Sequence, residues 1–153
     1  REVIYAIFET LTGQRFHPSY TRVGGAAYDF TPKVIEQIRD FLKSFPKTLE
    51  DMERLLNRNR IFVDRTKGVG VLTREEAINR SASGPIARAS GVTRDLRKDE
   101  PYLAYADFDF NVCCSTAGDC FARYYVRLAE MRESLKIIAQ AIENIPAGPL
   151  NIS

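Results

Sequence analysis

Apolar positions Val3, Ile4, Ile7, Phe8 and Leu11 recur at helical spacing and stop at Gly13, so the pattern predicts an opening helix capped by that glycine. A segment rich in Pro, Gly and Tyr follows and reads as an ordered loop. Thr31-Pro32 is a helix-start signal, a capping hydroxyl ahead of proline at the first helical position. Val34, Ile38, Phe41 and Phe45 mark one face of that helix, and Pro46 is expected to break it and begin another with Leu49, Met52, Leu55 and Leu56 apolar. Thr73 and Glu76 form a capping-box pattern, and Pro85 starts a short turn of helix ending at Gly91. Between Arg94 and Ser115 the pattern changes. There FDFNV alternates apolar and polar residues (Phe108, Phe110, Val112) and is the best strand candidate in the chain. In the last helix Asp119 is the cap, and Tyr124, Leu128, Met131, Leu135, Ile138, Ile142 and Ile145 form a narrow apolar stripe. Arg123, Arg127, Glu130, Arg132, Glu133 and Lys136 are expected to cover its other faces, and Pro146 and Gly148 to end it.

The predicted fold class is mainly α: a helical bundle of about four substantial helices, with a long C-terminal helix, structured loops and a small β element. At 153 residues the chain is the size of a single domain with a real core. The formal charge of +2 is carried by bases interleaved with acids, which gives no reason to expect nucleic acid as partner. No run approaches the roughly 18 apolar residues of a membrane-spanning helix, so no transmembrane segment is expected. No targeting peptide is visible, and the two ends read as those of a central fragment of a longer subunit. Cys113, Cys114 and Cys120 fit neither a disulfide framework nor a four-ligand metal spacing. No metal-binding and no cofactor-binding residue is assigned.

Candidate chemistry is sparse. No nucleophile–base pair, P-loop or dinucleotide fingerprint occurs, so no catalytic residue is assigned. SASGPIARASG, with Arg88 near its middle, reads either as backbone approaching a cofactor or partner, or as a tight connection between close helices. RDLRKDE reads as a salt-bridged turn. The only histidine, His17, lies in GQRFHPSYTRVGG. Pro18 is expected to hold the His17 backbone extended. Arg15 and Arg22 would make the segment electropositive if both point the same way, and Gly24-Gly25 permits positive φ or close backbone approach. The chemistry this favours is electrostatic tuning of an anionic neighbour.

GQRFHPSYTRVGG, VGVLTREEA, SGPIARASGVTRDLRK and GDCFARYYVRLAEMRESLKIIAQAIE, in this order and spacing, resemble the hydrogenase-large-subunit-like subunit of respiratory complex I, the bacterial NADH-quinone oxidoreductase. The resemblance runs from Arg1 to about Pro149 and covers the middle of the family's length. It implies a nickel–iron hydrogenase large-subunit-like fold and a place in the quinone-reduction module of a proton-translocating oxidoreductase. It also implies partners among the peripheral-arm subunits, above all the one holding the terminal iron–sulfur cluster, with quinone as substrate of the whole complex. The location implied is peripheral, on the cytoplasmic side of the bacterial inner membrane or the matrix side in mitochondria.

By the same resemblance, His17 matches a histidine beside that cluster and is a redox-linked proton site, with Arg15, Arg22 and Arg88 as supporting charges and Gly24 and Gly25 as close-approach backbone. An electron added to the cluster favours the protonated imidazole. At about 7 Å and an effective dielectric near 20 the attraction is roughly 2.4 kcal/mol, several times RT. No cofactor is expected in this chain, and in isolation the fragment is expected to be inactive. The alternatives are the large subunit of a membrane-bound nickel–iron hydrogenase, whose paired CxxC motifs lie outside this segment, and a non-catalytic helical interaction module.

Overall fold

The computed structural model describes residues 1–152. The chain divides into two compact units, one made of residues 1–46 with the chain from Ala141 on, the other of Lys47–Gln140.

In the first unit, helix α1 (Glu2–Thr12) ends as its glycine predicts: Gly13 is left-handed at φ 75° and its N–H reaches the Glu9 carbonyl. The loop that follows holds the small β element as a hairpin of β1 (Thr21–Arg22) and β2 (Gly25–Ala26), paired Thr21 to Ala26 and Arg22 to Gly25. The chain end adds a third extended segment. Ala26 donates to the Leu150 carbonyl, Ile152 donates to the Gly24 carbonyl, and Gly25 bridges Asn151.

Helix α2 (Pro32–Asn57) starts at the expected signal, with the Thr31 hydroxyl accepting from the Val34 N–H at 3.4 Å. It does not stop at Pro46. Proline deletes one helical hydrogen bond, the one to the Leu42 carbonyl. Burial of Phe41 before it and Leu49 after it is enough to keep both stretches helical. The residue still marks an organisational boundary, because the two units divide there.

The second unit carries the shorter elements. α3 (Arg60–Thr66) is capped by the Asn59 carboxamide oxygen, which accepts from the Phe62 N–H. α4 (Arg74–Asn79) opens with the predicted capping box: Glu76 donates its N–H to the Thr73 hydroxyl, and Thr73 donates its own to the Glu76 carboxylate. α5 (Gly84–Ala89) has Pro85 in its first turn, and α6 (Leu96–Asp99) follows.

Helix α7 (Cys120–Glu143) begins at Asp119, whose carboxylate accepts the Ala122 N–H at 2.6 Å and the Gly68 N–H at 2.8 Å. Burial opposes ionisation of this carboxyl, and the two N–H donors outweigh it, so its pKa lies below the ordinary value.

Two expectations fail in this unit. The FDFNV segment is extended without being a strand. Its alternation does bury Phe110, under the guanidinium of Arg97 and the ammonium of Lys98. Its backbone, however, is held chiefly by side chains of α7, with the Lys98 ammonium on the Phe108 carbonyl. Asp109 exchanges two hydrogen bonds of 2.8 Å with the Gln140 carboxamide, and the Asn111 N–H donates to Glu133 at 2.8 Å. Alternation specifies a half-buried extended chain; a second backbone is what makes it a sheet.

The predicted stripe of α7 is not its most buried face either. Ala122, Val126, Leu128 and Glu133 are buried, while Ile145 lies beyond the helix and is exposed. Ala122 and Val126 pack with Ala89 and Cys113. Glu133, expected on the outside, is inside because its carboxylate satisfies the Asn111 N–H and the Lys136 ammonium. Burial pushes its pKa up, but those donors prevail and hold it below the ordinary value.

Candidate functional site

The loop after α1 is tied back onto that helix by three kinds of contact. The Arg15 guanidinium donates to Glu9 at 2.9 Å and to Glu2 at 2.6 Å. The Phe16 ring meets the Tyr5 ring edge-on, with centroids 5.8 Å apart. The Gln14 N–H donates to the Thr12 hydroxyl, and the Gln14 side-chain oxygen accepts the Ser19 N–H at 3.3 Å, bridging over His17 and Pro18.

Between these anchors the chain reverses, and His17 takes the strain. Its φ is +52°, in the left-handed region, and not the extended conformation that Pro18 predicts. Restriction by the following proline is a local preference. Here it is overridden by anchors on both sides of a tight reversal, and histidine is among the non-glycine residues that enter this region most readily. The cost of such a conformation is on the order of 1–3 kcal/mol, which the surrounding contacts must offset.

The imidazole itself is exposed. Its ring lies 4.0 Å centroid to centroid from Phe16, tilted by 58°. Among the described residues neither ring nitrogen has a hydrogen-bond partner. The site presents an exposed imidazole that lies against one aromatic ring and makes no hydrogen bond among the described residues.

The cationic surroundings differ from those expected. Arg15 is faced by two carboxylates, so it does not act as free positive charge. Arg22 is exposed on β1 and remains the cation of this segment. Arg88 belongs to the other unit and is buried on α5. Its guanidinium donates to Glu130 and to the Arg94 carbonyl, with Asp95 at 3.9 Å, so its charge serves the fold.

Gly24 and Gly25 adopt φ of 87° and 155°. A Cβ on Gly25 would run into the Leu150 carbonyl oxygen, a close approach that only glycine permits.

Elsewhere, the RDLRKDE turn is salt-bridged as expected: the Asp95 carboxylate accepts three hydrogen bonds from Arg97, two of them from its guanidinium, and Arg94 pairs with Glu100. The hydrogen bonds from Arg97 keep the Asp95 carboxyl below the ordinary carboxylate range. A cavity of about 610 Å³ opens beside this turn between Ser83, Arg88, Arg97 and Tyr102, but its cations are already paired.

The three cysteines are free thiols. Burial pushes Cys113 and Cys114 up, away from reactivity. Among the described residues no group of three or more His, Cys, Asp or Glu side chains could hold a metal ion. Among them, too, no helix is long and apolar enough to cross a membrane.

Phe16, Tyr5 and Gln14 did not stand out in the sequence. The aromatic residue adjoining the only histidine was the available signal for the first, whereas Tyr5 and Gln14 become visible only once the loop folds onto α1.

Comparison with known proteins adds a lineage. Residues 1–153 match the protein family described as the respiratory-chain NADH dehydrogenase, 49 kDa subunit. Similar proteins include an NADH-quinone oxidoreductase subunit from Methylacidiphilum infernorum, 48% identical over 152 residues, covering 99% of this chain and 36% of that protein. Its counterpart from Salinibacter ruber is 48% identical over 150 residues, covering 98% of this chain and 33% of the relative. An NAD(P)H-quinone oxidoreductase subunit from Thermosynechococcus vestitus is 52% identical over 150 residues, covering 97% and 38%. The chain therefore spans only about a third of the length of the relatives it matches.

Proposed function

The chain belongs to the family of the 49 kDa subunit of the respiratory-chain NADH dehydrogenase, and from that premise we propose that it works as part of the quinone-reduction module of an NADH:quinone oxidoreductase. It packs there among the other peripheral-arm subunits, against the one that holds the terminal iron–sulfur cluster, on the cytoplasmic or matrix side of the membrane. The cluster supplies one-electron acceptance. What this chain supplies is a proton site at the imidazole of His17.

One observation carries the assignment: the only histidine sits on a loop pinned to α1 by Arg15 and Phe16, and its exposed ring makes no hydrogen bond among the described residues. Negative charge arriving opposite such a ring favours its protonated form, so electron and proton uptake become linked. Because Arg15 is neutralised by Glu2 and Glu9, little fixed positive charge opposes proton uptake from that side. Arg88, being neutralised in the other unit, is no part of this role.

The test is His17→Met in the assembled complex, with the midpoint potential of the terminal cluster titrated over about pH 6 to 8. The variant is expected to flatten the pH dependence. A slope equal to that of the unsubstituted complex overturns the proposal. By itself the 153-residue chain is expected to show neither NADH oxidation nor quinone reduction.

A further inference from the structure

His17 holds a left-handed backbone while its side chain is exposed and makes no hydrogen bond among the described residues. Left to itself, an exposed imidazole samples several rotamers, and a proton site with a fluctuating position couples weakly to any charge fixed opposite it. Among the described residues the imidazole has one ring contact, with Phe16. The Phe16 ring touches His17 at 4.0 Å and is itself braced edge-on by Tyr5 of α1.

Phe16 is 62% exposed, so its ring contributes little to a core. A large apolar side chain left mostly in water, with one edge braced by Tyr5 and another surface against the only imidazole, is placed for orientation more than for burial.

We propose that Phe16 is the positioning residue of His17. Its aryl ring, braced by Tyr5, fixes the direction of the imidazole while leaving both nitrogens free to exchange a proton. This deepens the assignment of His17 as a redox-linked proton site and rests on it. The charged groups carried by α1, the turn and β1 are Glu2, Glu9, Arg15 and Arg22, of which Arg15 is paired with the two glutamates. None of them hydrogen-bonds or ion-pairs with the imidazole. The titratable hydroxyl of Tyr5 sits on the ring that braces Phe16. Orientation of His17 is thus left to a neutral side chain, which adds no charge of its own to the linkage.

The experiment compares Phe16→Leu, Phe16→Met and Phe16→Tyr with His17→Met in the assembled complex. The pH slope of the terminal-cluster midpoint is read, and the amplitude of the cluster's EPR signal reports assembly. Leu and Met keep an apolar side chain but remove the ring; Tyr keeps the ring.

The expected result is a slope between those of the unsubstituted complex and His17→Met for both ring-removing variants, with the full slope retained in Phe16→Tyr. Full slopes in Phe16→Leu and Phe16→Met beside a flattened His17→Met overturn the positioning role and leave the proton site standing. A Phe16→Tyr slope as flat as that of Phe16→Leu also overturns it, since the ring would then be irrelevant. If His17→Met itself keeps the full slope, the proton site falls and the positioning role with it. Should Phe16→Leu lose the cluster signal, Phe16→Met and Phe16→Tyr decide the question between them.

Discussion

Arg88 and Glu130, 42 positions apart, meet in a two-point contact: Nε donates to the Glu130 carboxylate at 2.7 Å and Nη2 lies 2.5 Å from the same oxygen. Both side chains are largely withdrawn from solvent. Truncating one member strands the other as a buried charge, which costs about 3–5 kcal/mol. Arg88→Met or Glu130→Met alone is therefore expected to lower the urea midpoint severely. The double substitution should cost much less than the sum, and a double-mutant cycle on the unfolding free energies checks this.

Acid should loosen the second unit through identifiable carboxyls. Asp95, Asp119, Glu133 and Glu53 all have depressed pKa values in the fold. Below the ordinary carboxylate pKa the unfolded chain binds more protons than the folded one. Stability is thus fully present above that value and is lost as pH falls through the folded-state values, from about pH 4 downward. Urea midpoints should be steady from neutrality to about pH 5 and then decline. Asp95→Asn should start from a lower midpoint at neutral pH and decline less steeply.

Asp119 does two tasks at the start of α7, so its variants should be graded. Asp119→Ala removes both acceptors and should cost about 1–2 kcal/mol. Asn keeps an oxygen for the Ala122 N–H and should fall between. Thermal unfolding followed by circular dichroism gives the order; equal midpoints for Ala and Asn would show that the cap is not what the carboxylate contributes.

Gly25→Ala should detach residues 150–152 from the hairpin. Its new Cβ would collide with the backbone of Leu150 and Asn151, atoms that cannot swing aside as a flexible side chain does. The Ala26 and Ile152 amides, which donate to the Leu150 and Gly24 carbonyls, are expected to exchange faster in the variant than in the unsubstituted chain. Gly148→Ala, with nothing near its Cβ, serves as the control.

Local signals were legible where the chemistry is local. Gly13, Thr31, the Thr73–Glu76 box and Asp119 all act within a few residues, and each does what its type and spacing imply. Readings failed where a distant partner decides. Pro46 stays helical because Phe41 and Leu49 are buried. Phe108–Val112 finds Glu133 and Gln140 in place of a second strand. Glu130 turns inward because Arg88, on a short helix rich in small residues, comes to meet it. For the candidate site, the identity of His17 as the only imidazole was plain from the sequence. Its left-handed backbone was not, because that geometry is imposed by Tyr5, Gln14 and Ser19, which the proline rule does not consult.

The side-chain ladder along α7 has a consequence for hydrogen exchange. The Asp109 and Asn111 amides lie outside any sheet, yet each is bonded to a helix side chain, so both should exchange slowly and register with the integrity of α7. They differ in one respect. Gln140 holds its amide at every pH, whereas Glu133 holds Asn111 as a carboxylate. Two neighbouring amides on one strap thus form an internal reference and an indicator: a rise in Asn111 exchange relative to Asp109 reports protonation of Glu133 before the helix itself opens.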